Sequence, residues 1–111
     1  MTRDGGATPA CVFLDRDGVI NRPAWDEADR RYESPLDAGV VELADGAAAA
    51  IAALQAAGWR TVVVSNQPAV AKGKATPEQL RAVHERVVAL LADDGVTIED
   101  WRYCFHHPQA V

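Results

Sequence analysis

The chain has 111 residues, 49% hydrophobic and 24% charged, with a formal net charge of -5 at pH 7. That length suits one domain, the acidic balance argues against a nucleic-acid or anionic-membrane surface, and no apolar run is long enough to span a bilayer. Only two cysteines occur, Cys11 in an apolar run and Cys104 near two histidines, which is too few for a disulfide scaffold. Small-molecule chemistry is the leading class that remains.

The first ten residues, "MTRDGGATPA", are polar and small and lack the apolar core of a secretory signal. They read as a loose tail, residues 1–10, of a cytoplasmic protein whose single domain covers residues 11–111. "CVFL", residues 11–14, is the first predicted strand, and it buries Cys11. From Asp45 to Ala57 the sequence predicts a helix: strong helix formers, Ile51 and Leu54 at helical spacing, Asp45 as a cap and Gly58 at the far end. "RTVVVSN" follows, and the β-branched run Thr61 to Val64 suits a strand buried on both faces of a parallel sheet.

A second helix is signalled at "TPEQL", where Thr76 can cap, Pro77 fits the first helical position and Gln79 completes a capping box. Leu80, Val83, Val87 and Leu91 give it an apolar stripe. "IEDWRYCF" after Gly95 is the third predicted strand. Strand, helix, strand, helix, strand is the order of an α/β fold, a parallel Rossmann-like sheet with flanking helices.

Ligands of such sheets gather beyond the carboxyl ends of the strands. All three predicted strands end in reactive residues: Asp15 and Asp17, then Ser65 and Asn66, then Cys104, His106 and His107. Each has a plain structural reading as well. Asp17-Gly18 makes a turn, Ser65-Asn66 caps a helix, Cys104 packs as a core thiol, and Lys72 is a solvated loop lysine. Three such sets at one rim favour a site.

Two carboxylates one residue apart repel each other unless a cation or a shared proton neutralises them. A hard cation such as Mg²⁺ fits two aspartates with phosphate and water. Asp15 is then placed to attack phosphorus, and Asp17 to protonate the leaving oxygen and later activate water.

These residues resemble a known family. "DRDGVIN" is similar to the first signature of the haloacid dehalogenase-like phosphohydrolases, and "VVVSNQPAVAKGK" to the second. The finer resemblance is to D-glycero-D-manno-heptose 1,7-bisphosphate phosphatases and histidinol-phosphate phosphatases, carried by Asn21, by "SNQ" with Lys72-Gly73, and by "CFHHP". It covers roughly residues 11 to 108, and three ordered signatures make chance matching a poor explanation.

The resemblance implies Asp15 as nucleophile and Asp17 as acid/base, with Asp15 and the Asp17 backbone carbonyl as Mg²⁺ ligands. It implies Ser65, Asn66 and Lys72 as phosphate-binding residues, and Cys104 with His106 as half of a structural Zn²⁺ site. The substrate it implies is a phosphorylated small molecule, a heptose bisphosphate first, and histidinol phosphate or another phosphomonoester as the alternative.

The chain stops at Val111, before the lysine, the later acidic pair and the second pair of zinc cysteines that the family uses. The expected object is therefore the N-terminal part of such a domain, truncated after the third strand, and an inactive phosphate-binding remnant is the competing reading. The implied topology places the first strand centrally, paired by a strand formed later. "CVFL" would then expose an edge through which the chain self-associates.

Overall fold

Strand β4 (Arg60–Asn66) is the centre of the sheet, as its β-branched run predicts. The computed structural model describes residues 10–105. In it, β4 pairs in parallel with β1 (Cys11–Leu14) on one side and with β5 (Asp100–Cys104) on the other. The register sets Leu14 opposite Val63, Ser65 opposite Tyr103 and Asn66 opposite Cys104. Asp15, Ser65, Asn66 and Cys104 therefore stand at the same end of the sheet. The Arg60 N–H donates to the Ala10 carbonyl at 2.8 Å, so the chain is tied to β4 from the residue before β1. Residues 1–9 lie outside the described residues.

Helix α1 (Ala47–Ala56) links β1 to β4 in chain order, and α2 (Pro77–Asp93) links β4 to β5. The start of α2 is the expected capping box. Thr76 Oγ1 accepts from the Gln79 N–H at 3.1 Å, and Gln79 Oε1 accepts from the Thr76 N–H at 2.8 Å. The start of α1 differs from expectation. Its N-cap is Gly46, in the left-handed region and without a side-chain cap, while Asp45 instead pairs with Arg22 at 2.9 Å. A left-handed residue is needed at the bend, and glycine takes that position at no steric cost.

Both helices lie against one face of the sheet. Val63 packs in one cluster with Ile51 of α1 and with Val83, Val87 and Leu91 of α2, joined by Ile20, Val41, Val96 and Ile98. On the opposite face Val64 is 47% exposed and Phe13 70% exposed. Val62 on that same face is 8% exposed, so the expected burial on both faces holds there and fails at Val64, because side chains alternate along a strand and neither helix crosses behind. Cys11 shares that open face and is exposed, not buried. Among the described residues β1 is an edge strand, paired by β4 on one side, which is the edge expected of "CVFL" in this chain.

One element was not foreseen. Strands β2 (Ala24–Asp26) and β3 (Arg31–Glu33) form an antiparallel hairpin, with Trp25 and Tyr32 facing each other edge to face, ring centroids 5.2 Å apart. A short 3₁₀ turn, Ala38–Val40, then leads toward α1. Among the described residues no helix is long and apolar enough to cross a membrane.

Candidate active site

The turn after β1 is built on one carbonyl. Arg16 O accepts from the N–H groups of Val19, Ile20 and Asn21, and the Gly18 N–H donates to Asn21 O at 2.8 Å. Gly18 sits at φ +85°, which only glycine adopts easily, so the chain doubles back directly after Asp17. Asp15 is left exposed, with its Oδ1 accepting from the Arg16 N–H at 2.8 Å.

Asp17 is held quite differently. Its Oδ1 accepts from Arg16 Nε at 3.1 Å, from Arg16 Nη2 at 3.0 Å and from Asn21 Nδ2 at 3.0 Å. Its Oδ2 accepts from Ser34 Oγ at 2.5 Å and Gln67 Nε2 at 2.6 Å. Burial raises the Asp17 pKa, but the Arg16 charge and the hydrogen bonds from Ser34, Asn21 and Gln67 outweigh it and hold the carboxyl below its usual range. Both amides turn their NH₂ groups to this anion, and the buried Asn21 Oδ1 and Gln67 Oε1 are left without partners.

Gln67 joins the second signature to the first. The same Nε2 that reaches Asp17 donates to Ser65 Oγ at 2.8 Å, so Ser65 is one amide away from Asp17. Ser65 is 3% exposed, whereas Asn66, next along β4, is exposed. Lys72 is exposed and lines a small hollow of about 80 Å³ shared with Ser34, Gln67 and Lys74. The loop that carries it is tightly wound. Gly73 at φ +75° lets the Lys74 N–H return to Ala69 O at 2.8 Å.

Arg16 also faces a larger cleft of about 580 Å³, lined by Gln67, His84, Trp101, Tyr103 and Phe105 among others. Arg16 Nη1 donates to Tyr103 Oη at 3.3 Å, and that hydroxyl shares a 2.8 Å hydrogen bond with His84 Nδ1. Burial, and then the Arg16 charge, lower the His84 pKa, which favours the neutral imidazole. The cleft touches none of Asp15, Asp17, Ser65, Asn66 or Lys72.

Cys104 is exposed at the end of β5, beside Asn66 in register. Its expected partner His106 lies outside the described residues, as does His107. The one group of three or more metal-ligating side chains among the described residues is Asp26, Asp29 and Glu33, which does not include Cys104. Lys74 Nζ already sits among those three carboxylates.

The sequence brought Asp15, Asp17, Ser65 and Asn66 to one rim, and the sheet register does the same. It gave no role to Arg16, Ser34 or Gln67. Gln67 stood inside the second signature; Ser34 had no local signal at all.

No family model matches the chain. A D-glycero-beta-D-manno-heptose-1,7-bisphosphate 7-phosphatase from Salmonella typhi is 40% identical over 98 residues, 88% of this chain and 48% of that protein. The crystal structure of a D,D-heptose 1,7-bisphosphate phosphatase from B. bronchiseptica, complexed with magnesium and phosphate, superposes with a TM-score of 0.75 at 29% identity. That match covers 90% of this chain and 52% of the other. Over the part it spans, the chain is similar to the heptose bisphosphate phosphatases. A haloacid dehalogenase-like phosphatase from Mesorhizobium loti superposes equally well, with a TM-score of 0.75 and 34% identity over 93% of this chain and 45% of that one. The sheet and helices are thus those of the haloacid dehalogenase-like phosphatases over the part spanned, about half the length of these relatives.

Proposed function

We propose that this chain carries the nucleophile-bearing part of a phosphomonoesterase that acts on a sugar bisphosphate, of the heptose 1,7-bisphosphate class. The observation that carries the reading is the contrast on one turn: an exposed Asp15 beside an Asp17 fixed by five hydrogen bonds. The nucleophile must be reachable, and an acid/base group must be aimed.

In the proposed reaction an Asp15 carboxylate oxygen attacks phosphorus, the bond from phosphorus to the sugar oxygen breaks, and Asp17 gives that oxygen its proton. Water then attacks the aspartyl-phosphate, Asp17 takes a proton from it, and phosphate leaves with Asp15 restored. At rest Asp17 is held as the anion, since its pKa is lowered. An arriving phosphate dianion is a like charge that raises the pKa and favours the protonated form needed for the first step.

Ser65 Oγ, Asn66 and Lys72 are the groups assigned to the phosphate oxygens. Mg²⁺ suits the oxygen donors on this turn, the Asp15 carboxylate and the Asp17 backbone carbonyl. It would supply charge neutralisation between nucleophile and phosphate. The related structure with magnesium and phosphate supports that choice. Nothing among the described residues supports zinc.

The test is release of inorganic phosphate from D-glycero-D-manno-heptose 1,7-bisphosphate with Mg²⁺. Asp15→Asn should abolish turnover with the fold retained, and Asp17→Asn should slow it by about 10²-fold or more. Hydrolysis of this substrate at the native rate by Asp15→Asn would defeat the reading.

A further inference from the structure

The β2–β3 hairpin has few means of staying in place. Its strands are three residues each, and an isolated two-stranded hairpin is marginal in water. Its aromatic pair is largely exposed, Trp25 at 49% and Tyr32 at 68%. Among the described residues, the side-chain hydrogen bonds and ion pairs that tie it to the rest of the chain end on Lys74. That ammonium donates to Asp26 Oδ2 at 3.0 Å, to Glu33 Oε2 at 2.6 Å and to Asp29 Oδ2. The three carboxylates lie within 4.8 Å of one another, so without the cation they would repel and spread the hairpin. Directly after Glu33 comes Ser34, whose hydroxyl is bonded to Asp17.

We propose that Lys74 is a positioning residue: by clamping the hairpin to the loop after β4, it keeps the Ser34 hydroxyl on Asp17. The proposal rests on the phosphatase reading for its kinetic consequence, but not for its structural one. Lys74 touches neither Asp15 nor Asp17. It acts on the site through the hairpin, and the left-handed Gly73 aims its backbone back toward Ala69.

Hydrogen exchange and kinetics on Lys74→Met, Lys74→Arg and Ser34→Ala test it separately. In Lys74→Met, amides of residues 24–33 should exchange about 10-fold faster while those of α2 are unchanged, and Lys74→Arg should restore protection. The Ser34 hydroxyl proton should give a slowly exchanging resonance in the native protein and in Lys74→Arg, lost in Lys74→Met. In turnover, Lys74→Met should lower kcat about 10-fold with KM within about 2-fold, and the Lys74→Met/Ser34→Ala double variant should be no slower than Ser34→Ala alone. Multiplying losses in the double variant, or native exchange and a native hydroxyl signal in Lys74→Met, would overturn the proposal. If no variant or native protein hydrolyses the sugar bisphosphate, the phosphatase reading fails, and the exchange and hydroxyl signals still decide the clamp.

Discussion

The α2–β4 core and the β2–β3 hairpin border the same site and are held by different physics. In the core, Val63, Val83 and Val87 are fully buried and Leu91 nearly so, which is burial of apolar surface and does not depend on the screening of charges. In the hairpin one partly exposed lysine gathers three carboxylates, an arrangement that solvent and ions can weaken. The rigid part presents Ser65 and Asn66; the charged part presents Ser34. Asp17 takes hydrogen bonds from both sides, through Gln67 and through Ser34, so its position reports on both.

The sharpest way to break the comparison is to damage the core alone. Leu91→Ala should cost about 2–5 kcal/mol of global stability in chemical denaturation, from lost burial plus a cavity. Thr76→Ala removes the cap of α2 and should cost about 1 kcal/mol, with no change in hairpin exchange beyond that global loss.

Acid should act on the hairpin before the core. Asp26 has its pKa lowered from 3.8 to about 2, by hydrogen bonds from Lys74 first. A depressed carboxylate contributes stability that is present above its unfolded pKa and lost as pH falls through the folded one. Hairpin amides should therefore lose protection progressively between pH 3.8 and about 2. Asp17, also lowered, should weaken the turn over acid pH in the same direction. The smallest effect expected is that of salt at neutral pH. Raising ionic strength from about 0.1 to 1 M should speed hairpin exchange by about 2- to 3-fold and leave α2 unchanged.

What the sequence made legible follows the same division. The β-branched run of β4, the Thr76 to Gln79 box and the stripe of α2 are local signals, each contained within a few residues, and the structure has all of them. The hairpin is not local. Its strands carry charges and aromatics without an apolar alternation, and its anchor Lys74 is 41 to 48 residues away in sequence. Part of the support of Asp17 is distant as well, 17 residues for Ser34 and 50 for Gln67, while Arg16 and Asn21 lie within four residues of it. Val64 and Cys11 were misread for a further reason. Composition says that a strand can be buried on two faces, and only the placement of α1 and α2 on one face decides that Val64 and Cys11 are left exposed on the other.

The account turns on Asp15 as the atom that accepts phosphorus. Sugar bisphosphate carrying ³²P in both phosphates, mixed with enzyme and Mg²⁺ and quenched in acid within one turnover, should leave label on the peptide containing Asp15, more in Asp17→Asn and none in Asp15→Asn. Label on a different residue would contradict the account, as would phosphate released by Asp15→Asn at the native rate.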